Sequence, residues 1–291
     1  TVNNRSVVLG RVIPKKRDEE TLSLQAKLDP DPFVRVWAAY TLISDYKETG
    51  KLSSDAEAGV LAVLENDSSP YVRNAVAEAF QKMKPRFLTK TLGEGVLKEA
   101  HTVLQSGYRN SKRYKSDSHG WAQWRSQVLG TLGKVDDPSV LPLLAKTLAQ
   151  KTLPVDDLNK ATFAVGLLGD EKSAGLLREA LAIHGGRGYR HKSVVMNAFG
   201  ALEHPGAADE IREIAKTAGS DFMGRIGRMV KNNQVLKNSD TWSKFLQDFI
   251  LHDQKFGDEV KARILQTIEE VKKPHVQKML QTLKKESSSE R

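Results

Sequence analysis

At 291 residues the chain is long for a single hydrophobic core, which predicts two domains or an extended array. Its 39% hydrophobic and 28% charged residues have the balance of a soluble folded protein, and no apolar run approaches the roughly 18 residues of a membrane span. The lack of any cysteine excludes disulfides, thiolate metal sites and thiol nucleophiles, and the net charge of +9 is concentrated: residues 84–116 carry +6 and 184–231 carry +3.

The opening TVNNRSVVLGRVIPKKRDEE is too polar for a signal-peptide core, and its first residue, threonine, implies an upstream segment that has been removed. Residues 1–19 read as an amino-terminal arm, with RSVVLGRVI a short strand or extended stretch. Internal repetition begins directly after it. DPDPFVRVWAAYTL (29–42) aligns without a gap on residues 67–80, which close with YVRNAVAEAF, at an offset of 38. Asp29 matches Asp67, Pro32 matches Pro70, Phe33 matches Tyr71, and Val34-Arg35 matches Val72-Arg73. A proline in the turn followed by an i, i+3, i+4 apolar pattern is the signature of an amphipathic helix.

Further on the register continues in another dialect. VLGTLGKVDDPSVLPLLAKTL (128–148), AVGLLGDEKSAGLLREAL (164–181) and AFGALEHPGAADEIREIA (198–215) each close one helix near Leu-Gly or Ala-Leu, turn, and start the next. Leu132, Leu168 and Leu202 mark steps of 36 and 34 residues. The predicted pairs, first helix A and then helix B, are 20–28 with 32–44, 54–65 with 70–83, 91–105 with 121–134, 139–150 with 156–168, 171–183 with 190–203, 205–217 with 221–236, and 240–252 with 257–271. A capping helix follows at 274–285, and 286–291 reads as a disordered tail. The expected fold is therefore all-α: an α-solenoid of about seven antiparallel helix pairs, one continuous domain over 20–285. Its predicted core includes Val34, Ala38, Leu42, Val72, Val76, Leu129, Leu132, Val165, Leu168, Val195 and Leu202.

The D-x-x-P-[FY]-V-R-x-x-A pattern of the first two units resembles the second-helix opening of HEAT repeats, and the later units are similar to the HEAT-like repeats of phycobilin lyases. The resemblance extends over about residues 20–218. It implies a scaffold fold without fixing a role. It also implies that Arg35 and Arg73 bond to neighbouring units, a structural duty.

Two A-to-B turns break the short pattern set by residues 29–32 and 67–70. SGYRNSKRYKSDSHGW (106–121) holds four cations, two tyrosines and one acid, and HGGRGYRHKS (184–193) repeats the recipe without an acid. Insertions on one edge of a repeat array mark a binding face. Tyr108, Arg109, Lys112, Arg113 and Lys115, with Arg187, Tyr189, Arg190 and Lys192, are the candidate residues for an anion or a partner. Gly185, Gly186 and Gly188 would let backbone amides approach a phosphate. Tyr114, Trp121 and Trp124 are candidates for stacking, although core burial of at least one tryptophan is the default. With the turn at 151–157 these loops are expected to form one anion-attracting edge. Arg225, Arg228 and Lys231 form a further basic stripe, equally explained as a solvated helix face.

Catalysis finds no support. There is no G-x-x-x-x-G-K-[ST], G-x-S-x-G or H-E-x-x-H motif, and GGRGYRHK lacks the preceding strand of a nucleotide-binding loop. His184 and His191 share a loop with no accompanying carboxylate, which favours a solvated or phosphate-contacting pair over zinc. Asp136-Asp137, Asp156-Asp157 and Asp170-Glu171 precede helices and read as caps. The HEAT-like alkylpurine DNA glycosylases combine a basic groove, tryptophans and an acid. Here Trp121, Trp124 and Asp117 are present, but WAQWRSQ lacks the acid, and no residue of that family's site carries over. The reading is thus a non-enzymatic scaffold or adaptor for an acidic protein partner, with no metal or cofactor. Nucleic-acid binding along the basic edge is the alternative.

Overall fold

In the computed structural model the described residues are 18–49, 51–81, 88–105, 118–169, 171–187, 189–217 and 239–252, with single positions at 226, 236, 277 and 281. The predicted arm at 1–17, the helices expected at 221–236, 257–271 and 274–285, and the tail lie outside them, apart from those single positions.

Every regular element among the described residues is helical. In chain order these are α1 (Glu19–Leu28), α2 (Pro32–Thr49), α3 (Ser54–Asn66), α4 (Pro70–Gln81), α5 (Lys90–Gln105), α6 (Ser118–Thr131), α7 (Val140–Leu148), α8 (Val155–Leu168), α9 (Glu171–His184), α10 (Tyr189–Leu202), α11 (Ala207–Lys216) and α12 (Asp240–His252). Short 3-10 turns occupy Leu132–Lys134 and Gly185–Arg187. The helix starts follow local chemistry. The Asp18 carboxylate caps α1 by accepting the Thr21 amide at 2.7 Å, which holds its pKa below the usual value. Ser53 caps α3 through the Ala56 amide, and Pro32 and Pro70 occupy the first positions of α2 and α4, where a missing N–H leaves nothing unpaired.

The chain divides into two compact units, Thr1–Thr131 and Leu132–Arg291. The division falls where the sequence changes dialect, and the two dialects are two ways of joining helix pairs.

In the first unit α1 packs on α2 and α3, α2 on α4, α3 on α5, and α4 on α6. The joint is an arginine ladder. Arg35 donates from Nη1 to the Asp29 carbonyl at 2.8 Å, at the C-terminal end of α1, and grips the Asp67 carboxylate with Nε at 2.6 Å and Nη2 at 3.1 Å. Arg73 repeats this one unit later: Nε donates to the Asp67 carbonyl at 2.6 Å, Nη2 to the Glu65 carbonyl at 2.5 Å, and Nη1 to Glu99 at 3.2 Å. Each guanidinium satisfies carbonyls that a helix end leaves over, beside the negative end of its dipole. Asp29 and Asp67 also fix their own turns, each accepting the backbone amide two residues on.

In the second unit the joint is close approach at glycine: Gly133 and Gly166 face the backbone of Ala164 and Ala198, and Gly200 faces the Trp242 ring, so closely that a Cβ would overlap them. Helices α8 and α10 meet along this seam. The outer helices add ion pairs, Arg178 with Glu210 at 2.6 Å and Arg212 with Asp248 at 2.8 Å. Gly169, at φ +67°, ends α8 in the left-handed region that suits glycine.

Of the predicted core, Ala38, Leu42, Val72, Val76, Leu129, Leu132, Val165, Val195 and Leu202 are buried. Val34 and Leu168 are only half-buried. Val34 lies in the first turn of α2 and Leu168 is the last residue of α8, so each has neighbours on one side only along its own helix.

Candidate functional site

The turns that lead from a first helix to a second are where the candidate residues should gather. Tyr108, Arg109, Lys112, Arg113, Tyr114 and Lys115 lie outside the described residues, as do the side chains of Arg187, Tyr189 and Arg190. The backbone around the latter three is compact. Helix α9 continues to His184, a 3-10 turn takes Gly185–Arg187, and α10 starts at Tyr189, so the connection is shorter than the glycine content suggests. Lys192 donates from Nζ to the Thr217 carbonyl at 3.3 Å and hydroxyl at 3.2 Å, at the end of α11. Of the predicted cations, Lys192 alone has its side chain among the described residues.

Two other sequence expectations change. Trp121 and Trp124 are both buried, and their rings face Arg73, whose guanidinium carbon lies 5.4 and 5.7 Å from the ring centroids. They are core residues with no exposed face to offer a base. A Trp-x-x-Trp pair at a helix start has the same spacing in either role, and only the buried arginine decides. His184 and His191 are also buried rather than solvated: their rings meet edge-on at 5.8 Å, and His184 Nε2 lies 2.8 Å from the Leu148 carbonyl. No group of three or more metal-ligating side chains occurs among the described residues. The acid doublets are first-turn groups more than caps. Asp137 accepts the Ser139 amide just before α7, whereas Asp156 and Asp157 stand within the first turn of α8, where the dipole favours them. Glu171 opens α9, and Asp170 lies outside the described residues.

What the sequence left unannounced is apolar. Leu28, Phe33, Tyr71, Val155 and Ile183 are five of the seven large hydrophobic residues exposed among those described, and all five flank A-to-B turns. Leu24 and Tyr40 are the other two. Leu28 is 74% exposed, and the repeat-equivalent Phe33 and Tyr71 are 52% and 56% exposed. A signal existed: Phe33 and Tyr71 fall just outside the stripe of Ala38-Leu42 and Val72-Val76 that forms the core. The Arg35–Asp67 bond ties the two turns that carry them.

The first unit also holds an acid that the sequence did not single out. Glu99, on α5, is buried against Arg73. Burial, reinforced by the Glu65 carboxylate, pushes its carboxyl up to about 7, against the pull of the Trp124 indole and the Lys98 ammonium. Lys98 itself pairs with Glu65 at 3.2 Å across α5 and α3.

No protein-family model matches the chain, and no curated protein matches it. Among solved structures, the chain is similar to that of Legionella pneumophila aminopeptidase A in complex with aspartic acid, at 13% identity and a TM-score of 0.43. That alignment covers 94% of this chain and 39% of the other.

Proposed function

We propose that the chain is a non-enzymatic scaffold or adaptor, a HEAT-like α-solenoid of stacked helix pairs that holds a protein partner along its A-to-B turns. The observation that carries this reading is the placement of exposed apolar side chains. In the first unit the exposed Leu28, Phe33 and Tyr71 all flank turns of one type, and the Arg35–Asp67 bond ties the two turns together. Large apolar groups with a polar surround suit a protein interface, in which aromatic side chains carry much of the binding energy. The sequence puts the cations of 106–117 between a first and a second helix, and Arg187, Arg190 and Lys192 at another such connection and in the first turn of the helix after it; they would favour an acidic or phosphate-bearing partner surface.

The test is a comparison of wild type with a folded Phe33→Ser, Tyr71→Ser double variant in affinity capture, with generic DNA and RNA assayed in parallel at two salt concentrations. A protein retained by wild type and lost by the variant supports the scaffold. Tight nucleic-acid binding whose affinity falls steeply and log-linearly with salt, unaffected by the two substitutions, would replace it with the nucleic-acid reading.

A further inference from the structure

We propose that the outer face of α1 is the docking site of the chain's own amino-terminal segment, residues 1–17, which covers Leu24 and Leu28 and closes that side of the Thr1–Thr131 unit.

Helix α1 has two unlike sides. Leu22, Ser23 and Ala26 are buried, and the Ser23 hydroxyl donates to the Asp55 carbonyl of α3 at 2.5 Å. Glu20, Leu24 and Leu28, set four residues apart and so on one face, are exposed, the leucines by 51% and 74%. A helix at the start of a stack needs a polar outer face to stay soluble. This one instead offers a strip of two leucines, with Glu20 at one end and the turn of Asp29 and Asp31 at the other.

The segment before it has the complementary make-up. Residues 1–17 carry Arg5, Arg11, Lys15, Lys16 and Arg17 with no acid, and among them stand the apolar Val7, Val8, Leu9, Val12 and Ile13. Residues 18–31 carry Asp18, Glu19, Glu20, Asp29 and Asp31 against Lys27 alone. Opposite charges orient the two surfaces, and the leucines supply apolar area to bury. The ten residues of α1 span about 15 Å, which about five residues of chain cover at their full extension. Running back from Asp18, Val12 and Ile13 therefore reach Leu28, and Val7, Val8 and Leu9 reach it with slack. Tethering at Asp18 holds the segment near this face at an effective concentration on the order of millimolar, an advantage over a free partner of like chemistry. Docking takes up Leu24 and Leu28 and leaves the Phe33 and Tyr71 rings to the proposed partner.

Trypsin cleavage after Arg5 and Arg11 reads this docking, because the rate tracks the undocked fraction. The full chain, as wild type and as a Leu24→Ser, Leu28→Ser variant, is digested briefly beside a synthetic peptide of residues 1–18, and the products are followed by mass spectrometry. Wild type should be cut at these sites at least about tenfold more slowly than the peptide, and the variant nearly as fast as the peptide. Both leucines are exposed, so the circular dichroism of the variant should match wild type. A second variant, Val8→Ser with Ile13→Ser, leaves every described residue unchanged and should lose the protection equally. Added salt should speed cleavage of wild type by screening the exposed charges. Wild type cut as fast as the peptide would show the segment undocked. Protection that survives Leu24→Ser, Leu28→Ser would put its seat elsewhere, and protection lost when the protein is diluted at constant protease would put it on a second copy. Each of these three results overturns the proposal.

Discussion

Asp67 serves two repeats with two different groups: its carboxylate binds Arg35 of the preceding helix pair, and its backbone carbonyl binds Arg73 of its own. The carboxylate is almost fully buried, while the Arg35 side chain keeps some contact with water. Asp67→Ala should therefore cost about 1–3 kcal/mol, combining a lost charge-assisted pair with a lost turn bond to the Ser69 amide. Arg35→Lys should recover little, because one ammonium cannot reproduce the two-pronged grip together with the bond to the Asp29 carbonyl. Denaturant unfolding of the two variants beside wild type measures both.

Glycine-to-alanine changes should have opposite signs at different helical sites. At Gly175, inside α9 with open space beyond it, alanine should stabilise by about 0.5–1 kcal/mol through propensity alone. At Gly166, where the new methyl meets the Ala198 backbone, and at Gly200, where it meets the Trp242 ring, the same change should destabilise by about 2 kcal/mol or more. Thermal unfolding of the three single variants separates the cases. A stabilised Gly200→Ala would contradict the seam.

Glu203 holds a left-handed backbone at φ +53°, and its carboxylate accepts the Asp240 and Thr241 amides at 2.9 and 3.1 Å, capping α12 from a distance in sequence. Glu203→Ala keeps the strained backbone and loses the cap, so it should cost about 1–2 kcal/mol. Glu203→Gly also loses the cap but relaxes the backbone, and should cost less. The ranking of the two midpoints is the measurement.

The exposed ridge makes a different kind of prediction. Phe33→Ser and Tyr71→Ser remove side chains that are more than half in water, so each should change stability by about 0.5 kcal/mol or less. The same substitutions should weaken partner binding at least tenfold if these rings are its anchors, about 1.4 kcal/mol or more. Unfolding curves and binding isotherms on the same preparations show whether the two effects separate.

The helices were legible because their signals are local. Pro32 and Pro70 mark starts, Gly169 marks an end, and the apolar spacing of Ala38-Leu42 or Val72-Val76 names the buried face. The structural duty of Arg35 and Arg73 was implied by the resemblance of their turns to HEAT repeats, not by the 38-residue offset itself. The tryptophans were not, since a three-residue spacing is silent about which element packs over it, and the deciding neighbour, Arg73, is nearly fifty positions away. The Leu-Gly dialect was visible as a repeat, but its cause was hidden: glycine's role at Gly166 depends on how near Ala198 comes, a distance no single helix encodes. The division after Thr131 likewise depends on which helices meet. The exposed Phe33 and Tyr71 were in plain view as matched positions and were absorbed into the repeat pattern.

The arginine ladder has a direction. Each guanidinium looks back six residues to a carbonyl of its own turn and forward to an acid of the following helix pair. At its leading end stands Asp29, which like Asp67 accepts the backbone amide two residues on. At its trailing end the next acid is Glu99 within a helix rather than an aspartate in a turn, and two indoles enclose the last guanidinium. Among the described residues the ladder thus has two unlike ends, an aspartate turn at one and an aromatic enclosure of the last guanidinium at the other.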